Sequence, residues 1–250
     1  MSSMAASSRL FTPILIAGSL ILLIGFAIRA SFGLFQIPIA EEFGWLRSEF
    51  SMIFLGFFSC GFQLAFVTAH FPAFITEVCA AIPPNSLIRS VGINSTTALG
   101  AFSLALIGLA NIIGTVVAGA LGHKWSKKYL LSLIYTGRTI AAAAFIMIPM
   151  TPTTVVVFSL VMGGLWLATV PLTSGLIAQI YGLRYMGTLY GIVFFSHQLG
   201  SFMGVWLGGV MYDINGSYDM VWWVGVGVGA FSALVHLPVR ESPRPAFAGA

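Results

Sequence analysis

Arg138 lies in the middle of a long apolar run, where a charge costs about 2.5–3.5 kcal/mol on membrane-insertion scales. No Asp or Glu occupies the middle of any apolar run, since Glu77 and Asp213 fall at run ends. A deep cation without a protein counter-ion suits an anionic ligand such as a carboxylate, which a guanidinium can hold with two parallel hydrogen bonds. The competing reading is an arginine that snorkels or satisfies itself on backbone carbonyls. His197 and Gln198 sit together in the middle of another run. Imidazole is the mid-depth group that titrates near neutral pH, so His197 could bind substrate or carry a proton. A hydrogen-bonded interhelical histidine is the alternative. Asn111 and Gln63 are polar and deep. Such groups often join helices, at about 0.6 kcal/mol each; Asn111 is also expected close to Arg138, His197 and Gln198. His70 precedes Pro72 and is expected to satisfy local geometry, while Pro171 is expected to kink its run.

Other chemistries find no residues. Glycines recur at spacing four at Gly187/Gly191, Gly200/Gly204/Gly208 and Gly225/Gly229. That pattern lets helices approach closely. It is no nucleotide-binding loop, because no strand precedes it and it lies inside apolar runs. Cys60 and Cys79 share one apolar stretch and say little about redox compartment. There is no metal-ligand spacing and no nucleophile elbow, so the sequence reads as a non-enzyme with neither cofactor nor metal.

The elements that position these residues follow from composition. Hydrophobic residues make up 58% of the 250-residue chain and charged residues 7%. So few charges cannot coat a soluble surface, and the chain reads as a multi-pass integral membrane protein. A lipid-spanning helix needs about 20 apolar residues. Every backbone polar group in lipid must be satisfied internally, so continuous runs fold as helices. Seven spans are expected: 12–39, 50–78, 97–121, 129–148, 154–180, 185–211 and 220–237. Residues 12–39 run past the length of a signal sequence and read as a retained first helix.

Charge orients the bundle. Arg9 and Arg89 fall on one side; Arg47, Lys124, Lys127, Lys128, Arg184, Arg240 and Arg244 fall on the other. The positive-inside rule makes the second side cytoplasmic. The basic excess, 11 Lys and Arg against 7 Asp and Glu, therefore reads as topology, and no nucleic-acid partner is expected.

Residues 119–128, GALGHKWSKK, resemble the signature cytoplasmic loop of the major facilitator superfamily, with His123 in place of its Asp and Ser126 in place of its second Gly. Residues 55–74 (LGFFSCGFQLAFVTAHFPAF) are similar to the family's seventh helix, 166–175 (WLATVPLTSG) to its tenth, 187–204 (GTLYGIVFFSHQLGSFMG) to its eleventh, and 218–223 to the start of its twelfth. Residues 25–54 resemble a first helix, its outer loop and the start of a second. Organic-anion and monocarboxylate members look closest, and Arg29, between Gly25 and Gly33, resembles an arginine found there in those members.

The resemblance implies an all-α membrane fold of about seven helices. Residues 1–54 would be an extra N-terminal helix and loop, and 55–250 the C-terminal six-helix half of a major facilitator transporter. Most of helix two through helix six is missing from the pattern, as after an internal deletion. The implied function is secondary transport of a small solute, an organic anion, in a bacterial inner or plasma membrane. The implied substrate-binding residues are Arg138, His197, Gln198, Asn111 and Arg29. Expected partners are a small-molecule carboxylate, the lipid bilayer, and a second copy of the chain or a partner half. The alternative is a truncated half-transporter without autonomous transport, acting as an interaction protein or only as an oligomer.

Overall fold

A computed structural model describes residues 47–184 and 186–242. The chain divides into two units, Met1–Arg47 and Ser48–Ala250, and the architecture described is that of the second. The expected first span, with Arg9 and Arg29, lies outside the described residues, as does Arg244.

Among the described residues all regular structure is helical. The elements are α1 (Arg47–Val78), a one-turn α2 (Leu87–Ser90), α3 (Thr96–Lys124), α4 (Lys127–Met147), α5 (Pro152–Gly164), α6 (Thr169–Tyr181), α7 (Met186–Asn215) and α8 (Asp219–Val235). Four stretches are long and apolar enough to cross a membrane, the fourth being α5 and α6 taken together. The 30 residues of α7 are also long enough, but Ser196, His197 and Gln198 dilute its apolar character at the centre. α8 is apolar and shorter.

The helix ends show why the chain turns where it does. Ser95 caps α3 by accepting from the Ala98 N–H. His123 and Lys124 occupy its last turn, where cations complement the negative end of the helix dipole. Thr151 and Thr154 form a reciprocal capping box at the start of α5, with Pro152 at the first helical position, where a missing N–H costs nothing. At one end of the bundle the Ala80 N–H donates to the Met150 carbonyl, and the Tyr212 hydroxyl donates to Glu77 over 2.7 Å. At the other end the Lys127 ammonium donates to Gln179 over 2.7 Å. Gln179 donates to the Glu241 carbonyl, and the Glu241 carboxylate accepts the Lys128 N–H. The second end carries Lys124, Lys127, Lys128, Arg184 and Arg240, and the first carries Arg89 with Glu77, Asp213 and Asp219.

Lipid supplies no hydrophobic force between helices, so close packing and polar contacts must hold them. An aromatic core provides the packing. Phe66, Phe71, Phe74, Phe145, Phe158 and Trp222 are buried together, with Phe145 stacked on Phe158 at 4.2 Å. Glycines bring α1 and α7 into backbone contact. A Cβ on Gly61 would stand 1.8 Å from the His197 carbonyl oxygen, and one on Gly200 2.0 Å from that of Phe58. Gly114 and Gly164 bring α3 against α5 in the same way, at 1.8 Å. Single polar side chains complete the joints. Gln63 donates to the Gly225 carbonyl over 2.8 Å, Ser196 to Phe54 over 2.7 Å, and Ser232 to Gly56 over 3.0 Å.

The structure corrects two expectations. Instead of serving its own helix, His70 places its Nε2 3.0 Å from the Val205 carbonyl oxygen on α7. Instead of kinking at Pro171, the fifth span is broken outright, and upstream, over residues 165–168. A proline clashes with the carbonyl four residues earlier, here that of Leu167. The Leu167 carbonyl instead accepts from Val170, and Pro171 sits harmlessly in the first turn of α6.

Candidate functional site

Arg138 is fully buried on α4, and it organises a polar cluster inside an apolar bundle. Its Nη1 donates to the Cys60 Sγ over 3.4 Å. Its guanidinium carbon lies 5.5 Å from the ring centroid of Tyr135, one turn earlier on the same helix, a cation–π contact. Nε and Nη2 have no hydrogen-bond partner among the described residues. These two atoms form one edge of the planar guanidinium, with parallel N–H vectors. That edge matches the two oxygens of a carboxylate.

Four other helices complete the cluster. α1 brings Cys60, whose sulfur lies 3.3 Å from the Thr169 hydroxyl at the first residue of α6. α7 brings the His197 ring beside the same thiol. That ring stacks on Phe194 at 5.4 Å and packs against Phe57 at 5.2 Å. Its Nε2 is buried without a partner among the described residues. α8 brings His236, stacked on Tyr135 at 5.2 Å, with its Nδ1 2.7 Å from the Ser232 carbonyl oxygen. Arg138, Cys60, Thr169 and Tyr135 are all inaccessible to solvent, so the site is closed.

Of the residues singled out from sequence, Arg138 and His197 are therefore brought together, through Cys60. Gln198 is exposed. Consecutive helical residues point about 100° apart, so it cannot share the inward face of His197. Asn111 does not join the cluster. Its Oδ1 accepts the Leu167 N–H over 2.9 Å and the Thr115 hydroxyl over 3.2 Å. It thus caps the break between α5 and α6. Irregular backbone at membrane depth is tolerated only where protein satisfies it, and Asn111 does that here. Arg29 lies outside the described residues.

Asn111→Leu leaves the Leu167 N–H buried and unpartnered, a loss of about 1–3 kcal/mol. A fall in the thermal midpoint of the purified protein checks this. An unchanged midpoint would show that the break needs no cap.

Sequence reasoning missed Cys60, Tyr135 and Thr169. Tyr135 was findable, since it precedes Arg138 by three residues and so shares its helix face. Cys60 and Thr169 carry no local signal. They reach Arg138 only through tertiary packing, over separations of 78 residues and, from Cys60 to Thr169, 109 residues.

No groups of His, Cys, Asp and Glu that could hold a metal ion occur among the described residues. The arrangement is one of hydrogen-bond donors around a cation.

Comparison with known proteins fits this architecture. The uncharacterised MFS-type transporter YcxA of Bacillus subtilis (strain 168) is 24% identical over 192 residues, covering 74% of this chain and 43% of its own length. The chain thus matches less than half the length of that relative. The family profile of the Major Facilitator Superfamily matches residues 64–250, a stretch running from mid-α1 through every later helix, and on that match the chain belongs to the major facilitator superfamily.

Proposed function

We propose that this protein is a secondary transporter that moves a small organic anion across the membrane, with Arg138 as its anchor. The observation that carries the reading is the free Nε/Nη2 edge of a fully buried guanidinium. A carboxylate there gains two charge-assisted hydrogen bonds in a low-dielectric site. It also relieves a charge that has no acidic partner among the described residues. His197 forms part of the same wall. Gln198, on the exposed side of α7, lines the route toward it. The basic end of the bundle faces the cytoplasm of a bacterial plasma membrane, as charge asymmetry favours.

Because the site is closed, binding requires the bundle or a partner segment to open it, which is the essence of alternating access. The test is uptake by proteoliposomes containing the full chain. Labelled mono- and dicarboxylates are compared with their amides. Saturable uptake of at least one carboxylate, with none of the matched amide, is expected. No uptake above protein-free liposomes for any anion would overturn autonomous transport. Uptake restored only by a co-reconstituted second polypeptide would identify a half-transporter.

A further inference from the structure

We infer that the break in the fifth span is part of the anion site: the N-terminus of α6, with Thr169 and Thr173, is the second anchor for the carboxylate held by Arg138. This rests on the anion reading above and adds a half-helix to it.

The direction of α6 matters first. It starts at Thr169, inside the bundle, and ends at Tyr181 near the basic end. A helix concentrates about half a positive charge at its N-terminus, where its first N–H groups lack intrahelical partners. In α6 the N-cap residue is Ala168, and no side chain caps it. That positive end is not at a membrane surface, where water would screen it. It is buried, since Ala168 and Thr169 are 2% and 0% exposed.

Its position matters next. The Thr169 hydroxyl touches the Cys60 sulfur at 3.3 Å, and the Arg138 guanidinium touches the same sulfur at 3.4 Å. A cation and a helix N-terminus therefore stand one sulfur atom apart, and no carboxylate of the described residues lies between them.

Two independent observations point to a ligand. Nε and Nη2 of Arg138 have no hydrogen-bond partner among the described residues, and neither does the hydroxyl oxygen of Thr173. Thr173 is one turn after Thr169 on the same face of α6, and it is 0% exposed. Donors of three kinds, guanidinium, threonine hydroxyl and helix N-terminus, thus converge on one desolvated volume. A carboxylate is the group that answers all three. An anion placed there presses against the Cys60 sulfur, which makes that thiol a reporter.

The experiment uses the purified full chain in detergent, with sodium lactate as probe and lactamide as the neutral control. Calorimetry measures lactate affinity in the natural protein, in Arg138→Gln, and in Thr169→Val and Thr173→Val, which remove a hydroxyl at nearly constant shape. Mass spectrometry follows alkylation of Cys60 by a small maleimide, with Cys79 as internal reference. Arg138→Gln is expected to abolish lactate binding, and Thr169→Val to weaken it about tenfold or more. Saturating lactate is expected to slow Cys60 alkylation at least about tenfold while leaving Cys79 unchanged. If binding depends on Arg138 but not on either threonine, or if lactate leaves Cys60 alkylation unchanged, the half-helix anchor is wrong and the anion reading stands. If the natural protein binds neither lactate nor any other tested carboxylate, both fall. Should the threonine variants fail to fold, Cys60 protection in the natural protein decides alone.

Discussion

Arg138→Met is expected to raise the thermal stability of the ligand-free protein and to abolish carboxylate binding. The two effects share one cause. In the closed bundle the guanidinium has a sulfur and an aromatic face for company, with Nε and Nη2 unsatisfied. Burying a charge is expensive unless it is paired and hydrogen-bonded. Replacing even well-paired buried ions by apolar groups of similar volume often stabilises, by about 1–4 kcal/mol. A methionine fills much of the same space without the charge, so a gain of about 1–3 kcal/mol is expected. The carboxylate loses two charge-assisted hydrogen bonds at once, so affinity should fall about a hundredfold or more. Arg138→Lys retains the charge without the fork and should bind between the natural protein and Arg138→Ala. Scanning fluorimetry and titration with the same probe read both effects. A lower melting temperature for Arg138→Met would mean that the guanidinium holds the helices together, and carboxylate binding that survives would remove it from the site.

Gly61→Ala is expected to prevent the bundle from closing. Its added methyl would lie 1.8 Å from the His197 carbonyl oxygen and 2.7 Å from the adjoining carbonyl carbon. Both are backbone atoms of a helix, so no side-chain rotation relieves the clash, and α1 must separate from α7. Overpacking costs about 1–3 kcal/mol even where side chains can yield; here a loss of about 3 kcal/mol or more is expected. The separation would also move Cys60, one residue earlier, away from Arg138. Gly191→Ala is the control, because nothing lies within 4 Å of its added methyl. Alanine there should stabilise by about 0.5–1 kcal/mol through helix propensity. Expression of monodisperse protein and its thermal midpoint distinguish the two. Equal behaviour would show that the α1–α7 approach is looser than the backbone geometry requires.

The sequence by itself determined the helices and their order. In lipid a backbone cannot leave polar groups exposed, so the length of an apolar run is almost sufficient to define a span. The runs expected at 50–78, 97–121, 129–148, 185–211 and 220–237 each correspond to one helix. The sequence also singled out Arg138, because a charge in an apolar run stands out without knowledge of its neighbours. The difference between His197 and Gln198 was latent there too, since adjacent residues on a helix cannot point the same way. Tertiary structure decided the rest. Gly187/Gly191 and Gly200/Gly204 share one spacing, but the first pair faces open space and the second meets the backbone of α1; a four-residue period defines a stripe without saying what faces it. The break at 165–168 is held by Asn111, 56 residues from Leu167. Cys60 and Thr169 meet Arg138 only because α1, α4 and α6 pack together. Periodicity records which residues share a face of one helix, whereas a site between helices depends on how those faces meet, and that is settled by packing over long separations in the chain.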